Sequence, residues 1–284
     1  MIGGISPWNC FQFVSWDDFQ IGGALIMKKT LGILMAILLL ASVSGCGTED
    51  LKSVDKFEKK EYTGEFSFNY QLSSPSEKKN APIVIYFHGF GETENVEKCI
   101  VPETLASSSS QDVHPCFVLA PQIEDDVYLA QIDRNRLYEA VKDIVDGMIE
   151  TGEVDRRRIY LMGNSFGGLA TVEFAEKYPK NVAAAMVMCP ALTYSPDSIK
   201  NLELMKNVPV WFCHATNDNV IPVSVSAEAV SSLAAMKAGD VRFTEFTDEE
   251  MLEAGAVQGF HQADYAVMRD GRFAMWMFKK KSSN

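Results

Sequence analysis

The chain has 284 residues, and its formal net charge at pH 7 is −12. This acidic balance argues against binding to nucleic acid, because such proteins present a basic face to the phosphate backbone. The length allows one large hydrophobic core that needs no disulfide bonds, and it leaves room for an N-terminal extension.

The N-terminal part of the chain has the pattern of an export signal. Residues 1–26 show no clear pattern, and we expect them to be an upstream extension, with Met27 as the true initiator. A short basic region, an apolar run over 31–43 and small residues before Cys46 describe a secretory signal over 27–46. The apolar run is shorter than the about 20 residues that a membrane span needs.

The four residues that end at Cys46 resemble a bacterial lipobox, Val-Ser-Gly-Cys. This resemblance implies that Cys46 becomes a lipid-bearing N-terminus, and that an exported lipoprotein at the cell surface or in the periplasm touches the membrane through this anchor only. An unprocessed membrane anchor and a cleaved signal without lipid remain the alternatives. We expect a polar tether over 47–61 and a single domain over 62–284.

The rest of the chain alternates between patterns typical of strands and of helices. Strands are predicted at 61–72, 82–87, 116–120, 158–162, 182–188, 209–214 and 241–246. Helices are predicted at 93–107, 132–150, 167–178 and 224–238, with a short helix before 209 and a final one from about 271. Strands that alternate with helices predict a parallel sheet covered on both faces.

The segment Gly-Asn-Ser-Phe-Gly-Gly at 163–168 follows a predicted strand and opens a predicted helix. In this context G-x-S-x-G is typical of a nucleophile elbow, whereas the same letters elsewhere indicate an ordinary turn. The elbow would hold the Ser165 hydroxyl at the end of the sheet, beside a helix N-terminus that can stabilise an oxyanion. Ser165 is therefore the predicted nucleophile.

A serine nucleophile needs a base and an acid that orients the base. With an elbow of this type, the acid and then the histidine follow the serine along the chain. Of the four histidines, only His261 lies well downstream, so it is the predicted base. Asp218, in the polar loop after the strand at 209–214, is the favoured acid. Its alternative role is to cap the next helix, and Glu245 and Asp248 are the other candidate acids.

The predicted strand at 82–87 ends in the glycine-containing loop His-Gly-Phe-Gly-Glu. Glycines on both sides of Phe90 let its N–H face a substrate carbonyl, and the N–H of Phe166 follows the nucleophile directly. These two N–H groups are the predicted oxyanion hole.

The other histidines and two cysteines have structural interpretations. His88 and His214, each at the end of a strand, are expected to hold their loops by hydrogen bonds, although His88 could also serve as a base. His114 is expected in a surface loop, and Cys99 and Cys116 could pair in an oxidising exterior. No cysteine and histidine spacing suggests zinc, and no G-x-G-x-x-G fingerprint is present, so we expect neither a metal nor another cofactor.

Together these motifs resemble those of the α/β-hydrolases. Within that superfamily the chain is similar to the secreted esterases that include predicted peptidases, polyhydroxybutyrate depolymerases and feruloyl or acetyl-xylan esterases. The resemblance extends from about 80 to the C-terminus and implies an α/β-hydrolase fold, with a mostly parallel central sheet and helices on both faces. It assigns Ser165, Asp218 and His261 as nucleophile, acid and base. In such relatives the histidine comes soon after its strand, whereas here 247–260 intervenes and could form a flap.

Only about twenty residues separate the strands at 182–188 and 209–214, too few for a large cap domain. An uncapped site suits esters on bulky or polymeric substrates. The sequence therefore predicts a serine carboxylic-ester hydrolase acting on acyl esters of plant polysaccharides or their fragments. A serine peptidase with the same machinery and a non-catalytic surface glycan-binding protein are the alternatives.

Overall fold

The structure is a computed structural model, and it describes residues 56–256 and 259–283. In these ranges eight strands form one sheet: β1 (Phe57–Tyr62), β2 (Phe68–Ser73), β3 (Ala81–Phe87), β4 (Phe117–Pro121), β5 (Val154–Asn164), β6 (Val182–Met188), β7 (Val210–Ala215) and β8 (Val241–Phe246). The order across the sheet is β1-β2-β4-β3-β5-β6-β7-β8. The pairs β1–β2 and β2–β4 are antiparallel, and all the others are parallel.

Most helices of the described residues connect the strands, and the last three follow β8. The helices are α1 (Ile100–Ala106), α2 (Ser108–Val113), α3 (Asp125–Leu129), α4 (Gln131–Glu150), α5 (Phe166–Lys177), α6 (Pro196–Asn201), α7 (Ser224–Ala235), α8 (Asp248–Glu253), α9 (Ala263–Arg269) and α10 (Gly271–Met277). Short 3-10 turns precede α1 and lie on either side of α6. None of the helices in the described ranges combines the length and the apolar character that a membrane crossing requires.

Two hydrophobic cores lie on the two faces of the sheet. In β3, Ile83 and Ile85 belong to the core that contains residues of α4, α5 and α7, whereas Val84 and Tyr86 belong to the core that contains residues of α1, α9 and α10. Because side chains alternate between faces and both faces are covered, β3 is a continuous apolar run in which every residue is buried. The predicted fold class, a mostly parallel sheet with helices on both faces, is confirmed.

The predicted boundary between tether and domain is wrong. The tether was expected to extend to Glu61, but Phe57–Tyr62 form β1, and the predicted strand 61–72 is two strands joined by a turn. β1 lies at the edge of the sheet and contains the charged run Glu-Lys-Lys-Glu. Charged side chains on an edge strand discourage its pairing with other chains. The domain therefore includes residues from Phe57 onward. The proposed upstream extension 1–26, the signal 27–46 and its Cys46 lie outside the described residues.

The segment before His261 is partly helical rather than an open flap. α8 begins at a capping box in which Thr247 and Glu250 each accept a hydrogen bond from the other's backbone N–H. Met251 on this helix is fully buried, so α8 packs onto the domain. The two cysteines that could have paired, Cys99 and Cys116, are both free thiols.

Candidate active site

The predicted elbow is present between β5 and α5. Ser165 has φ 58° and ψ −118°, a conformation that is strained for a residue with a side chain. Its N–H donates to the Met188 carbonyl at 3.0 Å, and its own carbonyl accepts from the Ala191 N–H at 2.9 Å. The hydroxyl does not cap the helix. The backbone is thus held on both sides while the hydroxyl stays available for another partner.

Three glycines allow the elbow to pack against the ends of the strands. A Cβ atom at Gly163 would overlap the carbonyl oxygen of Gly167, and a Cβ atom at Gly167 would overlap the carbonyl oxygen of Phe87. A Cβ atom at Gly168 would lie 2.8 Å from the carbonyl oxygen of Met188. Glycine at these positions therefore lets the first turn of α5 contact the main chain of β3 and β6.

Three of the predicted site residues meet at hydrogen-bond distance. His261 Nε2 lies 2.8 Å from Ser165 Oγ, and His261 Nδ1 lies 2.7 Å from Asp218 Oδ2. Asp218 and Ser165 follow the C-terminal ends of β7 and β5, and His261 comes just before α9. With neutral His261, this arrangement lets Nδ1–H donate to Asp218 and leaves Nε2 to accept the serine proton.

The Asp218 carboxylate is enclosed and fully hydrogen-bonded. Its side chain is 0% exposed. Oδ1 accepts from the N–H groups of Val220 at 2.8 Å and Ile221 at 3.0 Å, and Oδ2 lies 3.2 Å from Nε2 of His214. Burial alone would raise the pKa of Asp218, but hydrogen bonds from His214, His261 and Ile221 outweigh it and hold the pKa well below its usual range. Asp218 is therefore ionised near neutral pH.

His214 has the structural role that the sequence predicted, together with a contact that the sequence did not reveal. It is fully buried at the end of β7, and its Nδ1 accepts from the Ser226 hydroxyl at 2.8 Å. Its Nε2–H faces both the Ile221 carbonyl, at 2.9 Å, and Asp218. His214 thus fixes the position of the acid. The only signal for this in the sequence is a histidine at a strand end, four residues before the carboxylate.

The two alternative acids lie elsewhere. Asp248 is half-buried at the first turn of α8 and accepts hydrogen bonds from the side-chain amide of Asn217 at 3.0 and 3.1 Å. Glu245 is exposed on β8. In the part of the chain that the structure describes, neither carboxylate contacts His261.

His88 holds the loop that follows β3 and is not placed to act as a base. Its Nδ1–H donates to the Gly89 carbonyl at 2.6 Å, and its Nε2 accepts from the Ile123 N–H at 2.9 Å. The Tyr128 hydroxyl donates to the carbonyl of His88 at 2.5 Å. Burial lowers the pKa of His88 to about 4, so it is neutral near pH 7. The structural interpretation of this residue is confirmed.

Two carboxylates brace the same loop. Glu92 Oε2 accepts from the Gly89 N–H at 2.6 Å, and Asp125 Oδ1 accepts from the Gly91 N–H at 2.8 Å. Gly91 has φ 79°, which favours glycine at this position. These contacts leave the amide of Phe90, between the two glycines, as the one that is free to face a ligand.

The two predicted oxyanion residues lie side by side. The rings of Phe90 and Phe166 pack with their centroids 5.4 Å apart. Among the described residues, no group accepts a hydrogen bond from either main-chain N–H. Phe90, Ser165 and His261 line one cleft of about 490 Å³. The arrangement suits a carbonyl oxygen placed beside the Ser165 hydroxyl.

One group of side chains near the site has metal-binding atoms. Cys189 Sγ, an Asp218 oxygen and a His261 nitrogen lie within 4.8 Å of one another. Burial raises the pKa of the Cys189 thiol well above its usual value, and the thiol donates to Asn164 Oδ1 at 2.9 Å. Because the thiol keeps its proton, and because Asp218 and His261 are hydrogen-bonded to each other, this group is a poor ligand set for a metal.

Comparisons with known proteins identify the family of the chain. The chain matches the model of the phospholipase/carboxylesterase family over residues 70–255. It is 25% identical over 171 residues to a bifunctional acetylxylan esterase/xylanase of Neocallimastix patriciarum, a match that covers 60% of this chain and 24% of that protein. The chain thus spans about a quarter of the length of this relative.

Two solved structures share the fold. A thermostable esterase is 27% identical with a TM-score of 0.68, over 80% of this chain and 64% of the other. Est1E from Butyrivibrio proteoclasticus is 14% identical with a TM-score of 0.57, over 78% of this chain and 99% of the other, and this likeness concerns the fold alone. The chain belongs to the phospholipase/carboxylesterase family, and it has the α/β-hydrolase fold.

Proposed function

We propose that the protein hydrolyses carboxylic esters with Ser165 as nucleophile, His261 as general base and Asp218 as the acid that orients the base. The observation that carries this proposal is the continuous line of hydrogen bonds, 2.8 Å from Ser165 Oγ to His261 Nε2 and 2.7 Å from His261 Nδ1 to Asp218 Oδ2. The membership of a carboxylesterase family supports it independently.

The reaction follows from the positions of these groups. Ser165 Oγ attacks the ester carbonyl carbon while its proton moves to His261 Nε2, and the N–H groups of Phe90 and Phe166 donate to the developing oxyanion. The imidazolium then protonates the leaving alkoxide, the alcohol departs, and an acyl ester remains on Ser165. Water attacks this ester with the same base, which releases the carboxylic acid and restores the serine. Asp218 stabilises the imidazolium through both halves of the reaction.

Acyl esters of plant polysaccharides, or of their fragments, are the proposed substrates. One relative of the chain is a bifunctional acetylxylan esterase/xylanase, which supports this substrate class. Only α6 and two 3-10 turns separate β6 from β7, so no large cap covers the site within the described residues. The cleft is lined largely by polar side chains, which suits a hydrated alcohol better than a lipid chain.

The proposed site of action is outside the cell, where Cys46 would anchor the protein by a lipid. The support is the pattern at 27–46: a basic start, an apolar run and small residues before the cysteine. In cells fed a fatty-acid probe, the full chain should be labelled and the Cys46→Ser variant should not. Equal labelling of both would refute the anchor without affecting the hydrolase.

A substitution at the nucleophile tests the function directly. Ser165→Ala should abolish turnover of p-nitrophenyl acetate, and Ser109→Ala, on the exposed surface of α2, should leave it unchanged. Unaltered activity in Ser165→Ala protein would refute the assignment. Rates on acetylated xylan, a feruloyl ester and short peptides then define the substrate. Faster cleavage of the peptides would identify a peptidase, and binding of xylan without any turnover would identify a glycan-binding protein.

A further inference from the structure

A second pair of carboxyl groups lies in the cleft, and the hydrolytic reaction does not use it. Asp264 is in the first turn of α9, three residues after His261. Glu92 belongs to the loop that carries the predicted oxyanion amide of Phe90. Asp264 and Glu92 both line the cleft together with Ser165 and His261.

Asp264 is buried without a full set of partners. The residue is 5% exposed, and its Oδ1 is enclosed with no hydrogen-bond partner among the described residues. No ion pair to Asp264 or Glu92 occurs in the described ranges. Lys98 also lines the cleft, but its Nζ donates to Asn95 Oδ1 at 3.2 Å. A buried oxygen without a donor is costly, so it calls for an explanation such as an ordered water, an ion or a ligand.

The electrostatics of the pair show which ligands it can accept. Burial, reinforced by the charge of Glu92, raises the pKa of Asp264 to about 7. Burial also raises the pKa of Glu92, against the lowering effects of the Gly89 N–H and His261. Near neutral pH, Asp264 is thus present both as carboxylate and as carboxylic acid. A hydroxyl group can donate to the first form and accept from the second, whereas an ammonium group pairs only with the first.

The surroundings favour a ligand that carries several hydroxyl groups. The cleft wall beside the pair includes the amide group of Asn95 and the phenol group of Tyr265, next to the apolar side chains of Phe90 and Ile100. The volume of about 490 Å³ falls in the range of pockets that enclose small organic ligands, so it holds more than an acetyl group.

We propose that Asp264 and Glu92 form a subsite for the hydroxyl groups of the alcohol part of the substrate, such as those of a sugar ring. This inference rests on the proposed ester hydrolysis and specifies which side of the ester the cleft selects. Asp264 would bind the hydroxyl groups directly. Glu92 would contribute its second oxygen while its first holds the loop at Gly89.

A pair of esters with the same acyl group tests the subsite. One substrate is an acetylated methyl xyloside, and the other is ethyl acetate, whose alcohol has no further hydroxyl group. Asp264→Leu keeps the same branched arrangement of heavy atoms and removes both oxygens, so the ratio of kcat/KM for the two esters should fall about tenfold, as expected for one lost hydrogen bond. Glu253→Gln, an exposed acid on α8, is the matched control and should keep the wild-type ratio.

A second measurement uses the unaltered protein, so it does not depend on the folding of a variant. Methyl xyloside should inhibit the hydrolysis of p-nitrophenyl acetate competitively, and tetrahydropyran, the same ring without hydroxyl groups, should not. Equal inhibition by both compounds, or by neither, would overturn the subsite. An Asp264→Leu protein whose activity falls equally on the two esters would also overturn it. A selectivity for ammonium-bearing esters that disappears in Asp264→Asn would overturn it as well. In each of these cases the esterase assignment stands. A wild-type protein that hydrolyses none of the esters refutes the proposed function instead.

Discussion

Replacing the predicted acid, Asp218, by its amide tests the buried end of the proposed catalytic triad. In Asp218→Asn, the amide oxygen can still accept from the N–H groups of Val220 and Ile221, which lie 2.8 and 3.0 Å from Oδ1. The new NH₂ group would then face Nδ1 of His261, which lies 2.7 Å from Oδ2 in the wild-type protein. Two donors cannot share this contact, so His261 must move its proton to Nε2. That nitrogen can no longer accept a proton from Ser165.

The expected loss is in catalysis rather than in folding. A wrong tautomer in a triad of this kind lowers kcat by roughly 10⁴-fold, or about 5 kcal/mol of transition-state stabilisation. The assay is kcat for p-nitrophenyl acetate at pH 8, with circular dichroism to confirm the fold. Asp248→Asn, at the alternative acid on α8, is the control and should behave as wild type. A loss below tenfold in Asp218→Asn, or a large loss in Asp248→Asn, would refute the reasoning.

Two further predictions concern stability. Burial raises the pKa of Glu176 to about 9, from 4.5, and its Oε1 has no partner among the described residues. The folded state therefore keeps a proton that the unfolded chain loses, and wild-type stability falls as pH rises from about 4.5 to 9. Glu176→Gln should raise the free energy of unfolding little at pH 5 and by up to about 3 kcal/mol at pH 7, measured by urea denaturation. A gain that does not grow with pH would contradict this. Gly167→Ala should lower the melting temperature sharply, because its Cβ atom would overlap the Phe87 carbonyl, whereas Gly239→Ala, where a Cβ meets nothing, should cost far less. Similar losses in the two variants would refute the packing argument.

The fold could be predicted from the sequence, and so could the three residues that meet at the site, Ser165, Asp218 and His261. Both predictions were possible because their signals are local in the sequence. Ser165 and Asp218 each follow an apolar strand, and the carboxyl ends of parallel strands lie at one edge of the sheet. His261 was found by elimination among four histidines. β1 was missed because an edge strand buries too little to show an apolar pattern.

The features that escaped prediction depend on contacts between distant segments. The support that His214 gives to Asp218 requires the loop after β7 to fold back on the strand. Asp264 stands in a short helix with no distinctive pattern, and Glu92, whose charge acts on it, belongs to a loop that is distant in the sequence. The local sequence around either residue contains no signal of these contacts, because both are set by tertiary packing.

The central claim is that the Ser165 hydroxyl is activated by His261. Treating the folded protein with a fluorophosphonate and mapping the adduct by peptide mass spectrometry measures this directly. The proposed site predicts one adduct, on Ser165, with labelling at least a hundredfold slower in His261→Asn protein. It predicts none at this position in Ser165→Ala protein. Two results would contradict the claim: no labelling of Ser165 in folded wild-type protein, or equal labelling rates in wild-type and His261→Asn protein.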